Sequence, residues 1–210
     1  VRVGVLALQG DYARHAQALE RCRSASRGAS SGEASRQFEI TVVEVRKPEQ
    51  LEQVDGLIIP GGESTTLLRL MEDWAFVPAL EKFHGAGRPI FGTCAGAILL
   101  AREVESPRQF SLGFIDITVV RNAYGRQRES FVGTGQATLE GRPAPLEMVF
   151  IRAPRIRRVG PGVETLARHG DEPVLTRQGS VLAGTFHPEL TDDPAVHRYF
   201  CEIVRKSAGA

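Results

Sequence analysis

Short apolar runs that each end in a glycine-bearing turn and then feed a helix recur through the first half of this chain. That repetition limits the folds open to it. Val1–Leu8 is apolar and β-branched until Gln9-Gly10-Asp11 breaks it, and Asp11 reads as the cap of a helix whose apolar face carries Ala13, Ala16 and Leu19. Ile40–Val45 and Leu57–Ile59 read as two further strands, the latter ended by Pro60-Gly61-Gly62. Ser64 is placed to cap the next helix, through Leu67, Leu68 and Met71. Pro78 opens another helix, Pro89–Gly92 is a fourth strand, and Thr93-Cys94-Ala95-Gly96 leads into a helix with Ile98, Leu99 and Leu100. Alternation over residues 1–104 predicts a parallel sheet with helices on both faces.

The second half is richer in strands. Ile115–Val120, Phe131–Leu139, Met148–Ile151, Val163–Arg168, Glu172–Arg177 and Ser180–Phe186 all fit the pattern, and their close spacing predicts hairpins added to the sheet. A closing helix aligns Val196, Tyr199, Phe200, Ile203 and Val204 on one face. Residues 23–37 are rich in Ser, Gly and Arg without apolar period, and read as a flexible surface insertion. They interrupt one strand–helix–strand unit rather than joining two cores, so one domain is expected over 1–210.

Charge narrows the partners. Lys and Arg total 26 and Asp and Glu 25, which argues against a nucleic acid or membrane held by bulk charge. No apolar run approaches a bilayer span, and Val1–Leu8 is too short, with the wrong flanks, for a signal peptide. Three cysteines without a Cys-x-x-Cys pair indicate neither a disulfide framework nor a zinc cage. A cytoplasmic protein needing no metal or cofactor is the expectation.

Three segments can carry chemistry. In Phe91-Gly92-Thr93-Cys94-Ala95-Gly96-Ala97 a cysteine sits between glycines, after an apolar strand and before an apolar helix. This is the thiol form of a nucleophile elbow: small neighbours allow a strained turn that exposes Sγ at the carboxyl edge of the sheet. The following helix start favours thiolate, and the Ala95 N–H is placed to receive an oxyanion. Phe186-His187-Pro188-Glu189 offers a base and its orienter after the last strand, with Pro188 letting Glu189 turn back toward His187. Pro60-Gly61-Gly62-Glu63-Ser64 offers a second backbone donor and a helix start suited to a substrate carboxylate. His15, His84, His169 and His197 are scattered without ligand spacing. Cys22 and Cys201 fall on apolar helical faces, and Arg155, Arg157 and Arg158 read as a solvated basic cluster.

In this order, the Pro-Gly-Gly-Glu-Ser turn, the Gly-Thr-Cys-Ala-Gly elbow and the late His-Pro-Glu resemble a class I glutamine amidotransferase. Leu6–Gly10, Glu63–Thr66, Arg121-Asn122 with Gly125-Arg126-Gln127, Phe150–Pro154 and Phe186–Thr191 narrow the resemblance to the glutaminase subunits of pyridoxal 5'-phosphate synthase. It covers nearly the whole chain except about residues 23–37. It implies a three-layer, flavodoxin-like α/β fold, with a mostly parallel sheet and added antiparallel strands. It also implies Cys94 as nucleophile with His187 and Glu189 completing a triad, and Gly62 and Ala95 as oxyanion donors. Gly62, Glu63, Ser64, Arg121, Ile151 and Arg152 are implied as glutamine-binding positions. The implied partner is a synthase subunit that takes up the ammonia, with twelve glutaminases on a synthase dodecamer. Arg14 and Arg155 depart from the usual Glu and His at their positions, which bears on partner contact rather than on the triad. A free-standing cysteine peptidase and a catalytically silent binding subunit are the alternatives. The first needs an open groove, and the second does not explain an intact Cys94, His187 and Glu189.

Overall fold

The computed structural model describes residues 1–25, 39–121 and 130–209. Its first half runs β1 (Arg2–Leu6), α1 (Tyr12–Ala25), β2 (Thr41–Val45), β3 (Gly56–Ile59), α2 (Ser64–Asp73), α3 (Phe76–Gly85), β4 (Ile90–Thr93) and α4 (Ala95–Leu100). The second half adds β5 (Ala101–Glu105), β6 (Ile115–Val120), β7 (Ser130–Leu139), β8 (Arg142–Ile151), β9 (Arg155–Val159), β10 (Glu164–His169), β11 (Glu172–Gln178), β12 (Val181–Gly184) and α5 (Ala195–Ala208). Nine strands form one sheet in the order β2-β1-β3-β4-β12-β11-β10-β7-β8. The part from β2 to β12 is parallel, and each later pairing is antiparallel. Its parallel part has the flavodoxin-like strand order, in which ligands sit at the carboxyl ends of the strands.

The parallel strands are buried on both faces, so they read as continuous apolar runs. Val3, Val5, Ile58 and Leu182 point into one cluster with α1 and α5. Leu6, Leu57, Ile59 and Val181 point into another with α2, α3 and α4. A small sheet, β5-β6-β9, covers part of this second face.

Several local expectations are corrected. The buried face of α1 is His15, Ala18, Leu19 and Cys22, while Ala13 is exposed. The stripe is displaced because one of its members is a histidine. A strand that the sequence reading did not name follows Leu100: Ala101 enters β5, in which Ala101 and Val104 are buried while Arg102 and Glu103 are exposed. Arg155, Arg157 and Arg158 are exposed, as read. They lie on β9, pairing with Glu172, Glu105 and Asp116 respectively. Of the expected insertion, residues 23–25 belong to α1, and the remainder lies outside the described residues. Cys22 and Cys201 are core, as read, and burial pushes both thiols up, Cys22 to about 11.

Candidate active site

The elbow forms because glycine is needed twice. A Cβ on Gly92 would lie 2.5 Å from the Gly96 carbonyl carbon, and one on Gly96 would lie 2.1 Å from the Ile59 oxygen. Between them Cys94 takes φ 48° and ψ −103°, a conformation L-residues rarely adopt. Such strain costs about 1–3 kcal/mol and is held by its surroundings. Here the Cys94 N–H donates to the Gly184 carbonyl at 2.8 Å, and the Cys94 carbonyl accepts from Ile98 at 3.2 Å. Sγ then lies 4.0 Å from the Ile151 carbonyl oxygen. Ala95 is the first residue of α4.

Strand register brings the histidine to the cysteine. Thr93 of β4 pairs with Gly184 of β12, so the chain beyond each strand leaves the same sheet edge side by side. The His187 N–H donates to the Val149 carbonyl at 2.8 Å, which fixes this segment against β8. Although β8 ends the strand order, Val149 and Ile151 near its end border the site. Pro188–Leu190 forms a single 3-10 turn that folds Glu189 back, and His187 Nδ1 meets Glu189 Oε1 at 2.7 Å. Burial opposes charge on His187, yet the Cys94 thiol and the Glu189 carboxylate outweigh it and push the imidazole up to about 10. Nε2 of His187 is buried and makes no hydrogen bond among the described residues. That nitrogen is therefore available to a proton in transit.

Cys94 and His187 open into a cleft of about 300 Å³ that is also lined by Gly62, Glu63, Ser64, Arg121, Ile151 and Arg152. Glu189 and Ala95 sit behind it, both buried. Gly61 lets the glycine turn pack directly against thiol and imidazole: a Cβ there would lie 2.5 Å from His187 Cε1 and 3.2 Å from Cys94 Cβ. The cap of α2 is Glu63, not Ser64. Glu63 accepts from the N–H groups of Thr65 and Thr66 at 3.1 and 2.7 Å. Ser64 is instead the first helical residue, and its hydroxyl bonds Gln109 at 3.0 Å. Desolvation opposes charge on Glu63, but these N–H groups and the Thr66 hydroxyl hold its carboxyl down at about 2. Arg121 reaches the same helix start from the end of β6, donating to Thr65 Oγ1 at 2.9 Å and approaching Glu63 Oε1 at 3.5 Å. Glu63 thus joins a helix cap to a cleft arginine. Glu63→Ala is expected to cost about 1 kcal/mol of stability, typical of a lost cap. It is also expected to raise KM for substrate more than it lowers kcat. Thermal melts and steady-state kinetics check the two effects, and an unchanged KM would separate Glu63 from binding.

The sequence and the fold are matched by known proteins. The SNO glutamine amidotransferase family matches residues 5–206. The chain belongs to that family. A relative from Koribacter versatilis named pyridoxal 5'-phosphate synthase subunit PdxT is 54% identical over 98% of this chain and 96% of its own length. The subunit of that name from Niallia circulans is 44% identical over 99% of this chain and 100% of its own. A crystal structure described as a glutamine amidotransferase superposes with a TM-score of 0.81 at 48% identity, covering 97% of this chain and 98% of the other. A structure of PurLQS from Thermotoga maritima, 15% identical with a TM-score of 0.61, shares the fold.

In this SNO-family amidotransferase further polar residues lie around the cleft, among them two histidines that the sequence showed only as scattered. Thr93 Oγ1, His15 and His197 form a buried polar line behind Glu189. Their signal was present: His15 and His197 each occupy a position on an apolar helical stripe, among Ala18, Leu19 and Cys22 and among Val196, Phe200, Cys201 and Val204. Gln109 lies before β6 and was not singled out at all. Asn122, Gly125, Arg126 and Gln127, part of the resemblance, lie outside the described residues. Among the described residues no helix is long and apolar enough to cross a membrane.

Proposed function

We propose that this chain hydrolyses L-glutamine to L-glutamate and ammonia, and delivers the ammonia to a synthase subunit that builds pyridoxal 5'-phosphate. The observation that carries this is the set Cys94, His187 and Glu189 at the base of a small cleft bearing two arginines, in a chain about half identical to a PdxT subunit. A cleft of this size with Arg121 and Arg152 on its wall fits one charged amino acid better than a peptide.

The Cys94 thiolate attacks the side-chain amide carbon, and a C–S bond forms as the carbonyl oxygen becomes an oxyanion. N–H groups of Gly62 and Ala95 receive that charge. One such donor is worth about 2.7–4 kcal/mol of transition-state stabilisation. Imidazolium His187 gives its proton to the amide nitrogen, the C–N bond breaks and ammonia leaves. Neutral His187 then takes a proton from water, whose oxygen attacks the thioester, and Cys94 departs as thiolate with glutamate released. Glu189 holds the Nδ1–H tautomer and balances the imidazolium. Glu63, Ser64, Arg121, Ile151 and Arg152 bind and orient the amino-acid end of glutamine, with the guanidinium groups facing its carboxylate.

The two clusters share one central sheet, which supports a single domain over 1–210. The proposed assembly is twelve of these chains on a dodecamer of synthase subunits, in the cytoplasm. Ammonia release from glutamine, compared with hydrolysis of glutamine-containing peptides, tests the reading. Turnover of glutamine with peptides untouched is expected, and the reverse would support a peptidase instead.

A further inference from the structure

Glu189 is buried, and only one of its oxygens is used by His187. The other, Oε2, has no hydrogen bond of ordinary geometry and lies 3.4 Å from Nε2 of His15 on α1. His15 Nε2 also lies 3.1 Å from the hydroxyl of Thr93, the residue before the nucleophile. On its far side, His15 Nδ1 meets Nε2 of His197 on α5 at 2.9 Å. All three histidines and Glu189 are shielded from solvent. The structure therefore holds an unbroken polar line from α5 through α1 to the triad, inside an otherwise apolar cluster.

We propose that His15, supported by His197, is a positioning residue for Glu189 in the glutaminase reaction; this rests on the function proposed above. The geometry allows one sensible placement of protons. Burial, with His197 and His187 nearby, lowers His15 far below its ordinary value, and burial lowers His197 to about 3, so both rings are neutral. Each neutral ring has one donor and one acceptor nitrogen. Glu189 is an acceptor, so a lone pair on His15 Nε2 would repel it. The proton therefore sits on His15 Nε2, aimed between Glu189 Oε2 and Thr93 Oγ1. His15 Nδ1 then accepts from the His197 Nε2–H. The 3.4 Å contact is long, and contacts of this kind tighten as charge develops on the reacting groups.

The arrangement does two things. It gives the buried carboxylate a second donor, so Glu189 does not rotate about its single bond to His187. It also ties that carboxylate to Thr93, so orienter and nucleophile are fixed relative to each other through one ring. Helix α1 is itself held at this spot, because Arg21 donates to the Thr191 carbonyl at 3.0 Å, just past the turn that carries Glu189. A leucine would suit the apolar surroundings of His15 better than a neutral imidazole does, so packing alone does not account for a histidine here.

The test is a kinetic cycle on the full chain with its synthase subunit present. His15→Leu is expected to lower kcat by about 10- to 100-fold, the usual effect of removing a group that orients a reacting one. KM for glutamine should stay within about twofold. His15→Gln, whose amide nitrogen can occupy the place of Nε2, should recover most of kcat. In a Glu189→Gln background the further loss from His15→Leu should vanish, because there is no carboxylate left to position. Should the leucine variant not fold, His15→Asn, whose amide stops short of Glu189, takes its place with the same expected loss. An unchanged kcat, a change carried by KM, or an equal loss in the Glu189→Gln background would each overturn the positioning role. The parent chain and Cys94→Ala, run beside them, report separately on the reaction: no glutamine turnover by the parent would overturn the function itself, and hydrolysis surviving Cys94→Ala would overturn Cys94 as nucleophile, neither being an outcome of the His15 variants.

Discussion

Replacing Cys94 with alanine is expected to remove glutamine-dependent ammonia release altogether, a fall on the order of 10⁶-fold in kcat, as when a covalent nucleophile is deleted. The fold should survive. Cys94 is nearly buried, its backbone is fixed by Gly184 and Ile98, and alanine tolerates φ 48° no worse than cysteine. Only Sγ is lost, and no other residue lining the cleft is a thiol. Pyridoxal 5'-phosphate formation by the assembled complex should continue when ammonium salt replaces glutamine. Glutaminase turnover near the parent level would show that Cys94 is not the nucleophile. Failure of the ammonium reaction would point instead to damage in the assembly.

A rise in kcat of about 100- to 1,000-fold on adding the synthase subunit is the second large effect expected, the range for gaining one oxyanion donor. The structure shows where such control would act. Gly62 has φ 151°, and the Gln9 carboxamide packs against it, with Gln9 Oε1 buried and unpaired among the described residues. Gly10 approaches the Gly61 carbonyl so closely that a Cβ would lie 1.8 Å from its oxygen. The turn after β1 thus grips the Gly61–Gly62 peptide, and neither glycine carries a side chain to resist rotation. Contact between a partner and Gln9, Gly10 or the exposed Arg14 can therefore decide whether an N–H or a carbonyl faces the cleft. Stopped-flow or coupled assays at saturating glutamine give the answer. Equal kcat for the isolated and the docked chain would refute this switch and leave the triad intact.

The parallel half of the fold was legible because burial on both faces leaves strands such as Leu57–Ile59 and Ile90–Phe91 without polar interruption. The elbow was legible because its glycines answer to backbone collisions that no other residue avoids. His187 and Glu189 were legible as a pair because Pro188 marks the turn between them. Less visible was anything decided by packing between distant segments. Ala101–Glu105 follows Leu100 with no Gly or Pro between them, so no breaker marks the change from helix to strand. Glu63 displaces Ser64 as cap, although serine is the preferred type, because its longer carboxylate reaches two N–H groups. His15 and His197 are ordinary helical residues until α1 and α5 are laid side by side.

The placement of β12 between β4 and β11 also has a consequence for how the enzyme comes into being. On the ribosome, Cys94 emerges long before His187 and Glu189. The strand that brings the base alongside it enters the middle of the sheet, not its edge. Until that insertion the nascent chain lacks both His187, the proposed general base, and the Gly184 carbonyl that restrains Cys94. Non-local pairings of this kind form late in folding. Glutamine-splitting competence therefore arrives with the last central strand, and truncated or half-folded chains draw nothing from the cell's glutamine.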